Sequence, residues 1–459
     1  MLVAEPPLWP KATMQTITPI DSESHFGIEE LFFSTTDRRG VIEDGNDVFV
    51  RVSKHPREAL CGSPHNIIRH PDMPRAVFWL LWNYVLSGKS IVAYVKNMAA
   101  DGSYYWVLAL VTPIRQGMLS IRMKPSSELL KTVQGVYKQM REIETAIESR
   151  GEGKQAAIEA SRAHLESAIR SLGLRDYDEL MQRILLAETR SRRASLAHRA
   201  NREVRDESQV FSEFIRHSNV LRAEVDGLFQ RIGGFLDLEK ALTERITYIR
   251  QLGGSLQLMA LNAQIRAAGI EQTGRTLQVV AQQMSDSAHS ISTATDEICK
   301  YMTTVGQVLR IAGFQIATSD LSVEMMSCFL AELSRSGADC DEATARHRIA
   351  QLAEVVRKNL DATCTLIDST ADHMIRLQQQ IDDFVKQIRT LEILRVTGKV
   401  EAISSAFGER VAIIFEDVYT TTKTARERLG KLVELISQAK IESLDRNLIN
   451  GSLACLAAA

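Results

Sequence analysis

Gly62-Ser63-Pro64-His65-Asn66-Ile67-Ile68-Arg69-His70-Pro71-Asp72-Met73-Pro74 is the densest run of unusual side chains in the 459-residue sequence. Two imidazoles, a guanidinium and a carboxylate fall between positions 65 and 72, and the prolines around them restrict the local backbone. Such a segment presents polar groups in a set geometry. Arg69 can clamp a phosphate or carboxylate through two parallel hydrogen bonds, and His70 can donate to a ring oxygen or nitrogen. In the alternative arrangement Arg69 and Asp72 pair with each other, while His70 caps a helix or packs on Trp82. No activated Ser or Cys nucleophile is suggested, and the His-Pro-Asp order does not carry metal-ligand spacing on a helix. The segment reads as a binding element rather than a catalytic one.

The residues on either side of it build a compact α+β domain. Aromatic and β-branched residues concentrate before about position 125, all four Trp among them, and no Pro occurs from 126 onward. Apolar runs at 31–34 and 40–43 flank the turn signal Asp37-Arg38-Arg39-Gly40 and predict a hairpin. Runs at 91–96 and 104–112 are separated by Ala100-Asp101-Gly102-Ser103, the run at 119–123 closes the sheet, and 74–86 reads as a helix between its two portions. Within 104–111 several successive side chains are apolar, the pattern of a strand covered on both faces. Either a cofactor or ordinary helix packing supplies the second cover.

The whole chain narrows the function classes. With 55 Lys and Arg against 57 Asp and Glu, the net charge is -2, so no global field draws it to nucleic acid or acidic lipid. The six cysteines, at 61, 299, 328, 340, 364 and 455, lack the close pairs of zinc or iron-sulfur sites and suit a reducing compartment. The first residues show no basic start followed by an apolar run, so no secretory signal is expected. The most apolar stretch, 76–86, is interrupted by Asn83 and followed by Ser87-Gly88-Lys89, far short of the roughly 20 residues of a membrane-spanning helix.

After position 125 the composition turns to Ala, Glu, Gln, Arg and Leu, which predicts long helices. Leu277, Val280, Met284, Ser287, Ile291, Ala294 and Ile298 alternate steps of three and four, the spacing of a heptad seam. Leu258, Leu261, Ile265 and Ala268 predict a second seam, ahead of a turn at 269–274. Two seams joined by a turn make a helical hairpin, which either dimerises into a four-helix bundle or forms a monomeric helical domain. A faint echo lies 135 residues on, where 258–279, LMALNAQIRAAGIEQTGRTLQV, meets 393–414, ILRVTGKVEAISSAFGERVAII. That shift brings Ile265-Arg266-Ala267 onto Val400-Glu401-Ala402 and Arg275 onto Arg410, as a repeated hairpin would.

Ser34-Thr35-Thr36-Asp37, Asn46-Asp47 with Phe49, Gly62-Ser63-Pro64-His65-Asn66, Arg69-His70-Pro71-Asp72-Met73-Pro74, Lys96-Asn97 and Tyr105-Trp106-Val107 follow one another in the sequence. In these pieces residues 31–123 closely resemble the PAS domain of the bacterial aerotaxis receptor family. In that family the domain binds FAD noncovalently and reports redox state or oxygen indirectly. The resemblance implies that Asn46, Arg69, His70 and Asp72 belong to a flavin-binding region, with Trp82, Asn97 and Trp106 as further pocket members. An isoalloxazine ring needs an apolar slot with a few oriented polar donors. Haem held by a His and an empty pocket are the alternatives. The chain departs from the family at Ile91, within a segment where a Trp is common, and at Met98-Ala99-Ala100, where basic residues usually follow the Asn.

Leu261-Asn262-Ala263, Ile265, Ala267-Ala268, Gly274-Arg275 and Val279-Val280-Ala281 resemble the cytoplasmic tip of methyl-accepting chemotaxis receptors. Those tips dimerise, group into arrays and contact a coupling protein and a histidine kinase. The resemblance implies partner-binding roles for Asn262, Arg266, Gly269 and Arg275. Arg266 stands where the family has Glu, Gly269 where it has Arg and Leu277 where it has Phe, which makes the segment a divergent one.

The chain accordingly divides into a PAS sensory domain at 22–125, a helical linker or coupling region at 126–235, a chemoreceptor-like signalling hairpin at 236–310, a second hairpin or interaction platform at 311–445 and a flexible tail at 446–459. The expected protein is a cytoplasmic, homodimeric transducer in receptor clusters, without a transmembrane segment and without enzymatic activity. A change of cofactor state alters hydrogen bonds around Arg69, His70 and Asn97 and shifts the packing of the bundle. A cofactor-free PAS scaffold is the competing reading, and a flavin oxidoreductase ranks behind both.

Overall fold

A computed structural model describes residues 17–197, 212–268, 275–336, 342–403, 408–438 and 446–457. Strands β1 (Leu31–Asp37), β2 (Ile42–Gly45), β3 (Ile91–Met98), β4 (Tyr104–Pro113) and β5 (Gly117–Met123) form one antiparallel sheet in the order β2-β1-β5-β4-β3. The β1–β2 turn forms where its chemistry predicts. Asp37 Oδ1 accepts from the amides of Arg39 (2.8 Å) and Val41 (2.9 Å), and Gly40 takes a φ of +79° that other residues resist. Between β2 and β3 lie α1 (Asp47–Ser53), α2 (Arg57–Leu60), a 3-10 turn over His65–Ile68 and α3 (Arg75–Leu86). Pro56, Pro64 and Pro74 stand immediately before α2, the 3-10 turn and α3, each in extended conformation. The prolines of the opening segment therefore act as helix start signals.

Pro74 has no side-chain acceptor for the first amides of α3, and another helix supplies one. Glu144, fully buried on α4 (Leu129–Ser149), accepts from the amides of Arg75 (2.9 Å) and Ala76 (3.1 Å). Substituting Glu144→Ala removes this cap in trans and is expected to cost about 1–2 kcal/mol, read as a lower urea midpoint of the full chain. Helices α5 (Lys154–Ser171) and α6 (Tyr177–Ala197) follow, and α6 lies against β3. Tyr177 donates to the carbonyl of Val92 (3.0 Å), and Tyr94 donates to the buried Glu188 (2.5 Å). The segment expected as a linker thus covers one face of the strands, and helix packing gives the near-continuous apolar run of β4 part of its cover.

Five further helices complete the described chain: α7 (Ser212–Ala268), α8 (Arg275–Ser336), α9 (Glu342–Ile403), α10 (Gly408–Gln438) and α11 (Arg446–Ala457). Two compact units emerge. The first takes in Met1–Phe229, Phe314–Thr363 and Leu444–Ala459, and the second Gln230–Gly313 and Cys364–Ser443. These boundaries cut across the expected division at 310/311. In the first unit Phe329 of α8 meets Phe33 of β1 edge-on at 5.2 Å, Arg348 of α9 pairs with Asp44 of β2, and Arg192 of α6 pairs with Glu324 of α8 (2.8 Å). At the carboxyl end α11 buries Ser452 and Leu453, because apolar residues at helical spacing give it a face to bury.

In the second unit a four-helix bundle closes within one chain. Glu239 of α7 pairs with Arg310 of α8, and the Tyr301 hydroxyl of α8 meets His373 Nδ1 of α9 at 3.2 Å. Lys399 of α9 bonds Glu416 of α10 at 2.6 Å, and Arg428 of α10 lies 4.1 Å over the Tyr248 ring of α7. On α8 the expected seam is buried at Leu277, Val280, Met284, Ile291 and Ile298. On α7 it is not: Leu258, Leu261 and Ile265 are 64%, 49% and 62% exposed, and the buried stripe is Leu252, Leu256, Ala260, Ala263 and Ala267. Small side chains let helices approach closely, so the alanines face the neighbours and the larger residues face water.

Candidate functional site

The sheet register sorts the domain's polar residues by face. Phe32, Ser34 and Thr36 of β1 pair across to Arg122, Ser120 and Met118 of β5, and Arg122 pairs on to Ala109 of β4. Tyr105 of β4 lies opposite Asn97 of β3 on the same face. This face meets α1 and the 3-10 turn, where the rings of Phe32, Phe49 and His65 stack at 6.0 and 6.4 Å.

Arg122 is the centre of that face. Its guanidinium is buried, donates to Ser34 Oγ (3.0 Å) and His65 Nε2 (2.6 Å), and lies near the rings of Phe49 (5.5 Å) and Phe32 (5.8 Å). Among the described residues no carboxylate pairs with it. Burial alone pushes it down to about 10, and an unpaired buried charge costs several kcal/mol. Around it, four buried polar atoms on the same face lack a hydrogen-bond partner: Thr36 Oγ1, Ser120 Oγ, the Tyr105 hydroxyl and Asn97 Nδ2. A cation with unsatisfied donors beside an aromatic wall suits a planar ligand rich in acceptors, and an isoalloxazine ring is one.

Burial, followed by the Arg122 charge, pushes His65 down to about 3. The ring is therefore neutral near pH 7 and accepts from Arg122 through Nε2, which puts its proton on Nδ1. Between pH 6.5 and about 3 the unfolded chain takes up a proton that the folded site refuses. Stability should then fall as pH drops below about 6.5, by at most about 1.4 kcal/mol per pH unit. His65→Gln should flatten that slope in urea titrations at pH 7 and pH 5.

The residues expected from the sequence fall in three places. Asn97 is on the inner face, and its strand bridges to Arg69. The Arg69 guanidinium stacks 3.9 Å over Phe78, donates to the carbonyl of Met73 (3.5 Å) and is pushed down to about 10 by burial. His70 is buried, with Nδ1 accepting from the Asp72 amide (3.1 Å), and burial lowers its affinity for a proton. Asp72 bonds Lys96 at 2.6 Å and, with Lys96 and Trp106, lines a groove of about 680 Å³ bounded by Tyr137 and Arg141 of α4. Trp106 follows Tyr105 along the strand and so points to the opposite face. Trp82 is half-buried on α3.

Asn46 does different work. Its Oδ1 accepts from the Phe33 amide (3.1 Å), and its Nδ2 donates to the Leu31 carbonyl (3.3 Å) and to Glu332 Oε2 of α8 (2.9 Å). Glu332 Oε1 also accepts from the Asp47 amide (2.7 Å), so Asn46 and Asp47 fasten β1 and α1 to a long helix. In the outer groove Asp72 and Lys96 pair with each other, whereas among the described residues the inner face holds a cation without an anion. The inner face is the better candidate. Sequence reading passed over Arg122, His65, Ser34 and Tyr105; the available signal was an Arg inside the apolar strand Gly117–Met123, in phase with Ser120.

Residues 44–120 match the PAS fold family. Over 110 residues the chain is 40% identical to the aerotaxis receptor of Escherichia coli strain K12, a stretch that covers 23% of this chain and 22% of that receptor. The chain thus spans under a quarter of the curated relative it matches. The amino-terminal domain is a PAS domain of aerotaxis-receptor type, followed by long helices that fit a signalling segment. Among the described residues no helix is long and apolar enough to cross a membrane.

Proposed function

We propose that this PAS-bearing chain is a cytoplasmic signal transducer whose inner sheet face holds FAD and whose ligand state sets the packing of a chemotaxis-type helical bundle. The buried Arg122 guanidinium without a carboxylate carries the reading. When bound, the flavin supplies reversible electron uptake. Arg122, Tyr105 and Asn97 offer N–H and O–H donors to it, His65 and Ser34 orient the guanidinium, and Phe32 and Phe49 give an apolar wall. A change in what Arg122 donates to is felt at Ser34 on β1, and Asn46 ties the same strand to Glu332 of α8. Two hydrogen-bond arrangements there bias two packings of the helices, which a few kcal/mol can separate.

The resemblance of the α7–α8 tip supports a coupling protein and a histidine kinase as partners of a homodimer. Asn262, Arg266 and Arg275 are exposed, and Gly269 lies outside the described residues. A receptor role rather than enzymatic turnover is in keeping with the relative's name. The test is an absorption spectrum of the purified full chain, as isolated and after reconstitution with FAD, oxidised and reduced. Flavin bands that bleach on reduction are expected; a Soret band would replace FAD by haem, and neither would leave a cofactor-free scaffold. Replacing Glu332→Ala should leave flavin content unchanged and abolish any redox-dependent difference in hydrogen exchange along the end of α8.

A further inference from the structure

Among the described residues one cluster unites a carboxylate, an imidazole and a thiol. Glu213 and His217 of α7 and Cys455 of α11 each bring a ligand atom within 4.8 Å of the others. Both helix segments belong to the first compact unit. Glu213 and His217 stand one helical turn apart on α7, as Ser452 and Cys455 do on α11, so each pair shares a helix face. The two faces meet: His217 Nδ1 lies 3.3 Å from Ser452 Oγ, and Ser452 is buried. Cys455 is a free thiol, half-buried like His217, while Glu213 is open to water.

The neighbours fix how the imidazole is used. Arg216 Nη2 lies 3.3 Å from His217 Nε2 and 3.8 Å from a carboxylate oxygen of Glu213. A guanidinium only donates, so Nε2 accepts and the ring proton sits on Nδ1, facing Ser452 Oγ. A hydroxyl that holds Nδ1–H leaves the Nε2 lone pair for a cation, the outer-shell arrangement of metal-bound histidines. Thiolate sulfur, imidazole nitrogen and one carboxylate oxygen make a donor set for Zn²⁺ rather than for Mg²⁺ or Ca²⁺, which take oxygen ligands. Bonds of about 2.0–2.3 Å put tetrahedral ligands roughly 3.3–3.8 Å apart, a contraction that the exposed Glu213 side chain can make by changing rotamer. Arg216 is the competitor: it faces both ligands in the metal-free chain and, at 69% exposure, is free to swing into water.

We propose that Glu213, His217 and Cys455 form a Zn²⁺ site, with water at the fourth position, that fastens α11 to α7. Binding exchanges the Cys455 thiol proton for the metal, so affinity rises with pH. The site goes beyond the sensor reading and needs no flavin. The test is titration of the untagged, metal-free full chain with Co²⁺, a spectroscopic stand-in for Zn²⁺, and then with Zn²⁺. Co²⁺ should raise a thiolate-to-metal charge-transfer band that Zn²⁺ displaces, and C455S should lose that band. H217A should weaken Zn²⁺ binding at least tenfold, S452A should weaken it by about ten- to a hundredfold through the outer shell, and R216A should tighten it. Zn²⁺ should slow hydrogen exchange along α11 in wild type and leave C455S unchanged. If any of the other variants loses helical signal, the exposed R216A decides. Absence of the band in wild type, a band that survives in C455S, or binding that R216A weakens would each overturn the proposal.

Discussion

Arg122→Met is expected to empty the PAS domain of flavin and, in the same protein, to raise the urea midpoint of the ligand-free fold. Both directions follow from one fact, a buried guanidinium with no carboxylate beside it. Without ligand the charge rests, among the described residues, on Ser34, His65 and the faces of Phe32 and Phe49, and replacing a buried charge by an apolar side chain of similar volume is commonly neutral or stabilising by about 1–4 kcal/mol. Ser34 Oγ and His65 Nε2 lie 3.2 Å apart, so each keeps a partner after the change. With ligand the balance reverses. A hydrogen bond from a charged donor contributes about 1.5–3 kcal/mol, and its loss lowers affinity roughly tenfold to a hundredfold. Flavin absorbance after desalting reads the first effect and urea unfolding the second. A variant that keeps flavin and unfolds earlier would make Arg122 a structural strut.

That residue also marks where sequence reading ends. Strands, the β1–β2 turn and α3 were legible because their signals are local: Asp37 caps its own turn, and Pro74 starts its own helix. Arg122 acquires its meaning from Ser34 on another strand and His65 on a 3-10 turn, and no local pattern announces that meeting. Parity separates the two aromatics. Tyr105 and Trp106 are neighbours in sequence, but a strand sends them to opposite faces, so only one can join Asn97. Asn46 sat in a motif whose family role is flavin binding, while its amide is spent on Phe33, Leu31 and Glu332, and Glu332 lies 286 positions away. On α7 hydrophobicity chose the stripe of Leu258, Leu261 and Ile265, although the helices meet along smaller alanines. An apolar stripe says that something covers it, not that the same chain does.

Glu188→Ala should cost about 1–3 kcal/mol and release β3 and the end of the sheet from α6. The carboxylate is fully buried, and it accepts from the amides of Ser126 (2.6 Å) and Ser127 (3.0 Å), from both their hydroxyls and from the Tyr94 hydroxyl (2.5 Å). Burial and then the carboxylate itself raise the Tyr94 phenol, so it remains a donor. Truncation removes the acceptor of two backbone amides and leaves the buried Tyr94 hydroxyl with Ser127 Oγ (3.3 Å) as its partner; Ser126 is exposed and Ser127 half-buried, so water takes up part of the loss. Glu188→Gln keeps one oxygen for the amides and should lose less, because the Tyr94 hydroxyl can turn to accept from the new amide. Hydrogen exchange at Ser126 and Ser127 separates this from a general loosening: a local opening cheaper by about 3 kcal/mol exchanges roughly a hundredfold faster. Ser126 and Ser127 join β5, the strand of Arg122, to α4. A clamp at that joint holds the inner sheet face and the helices in one register, so Glu188→Ala should also erase the redox-dependent exchange differences expected along the end of α8, even where flavin still binds.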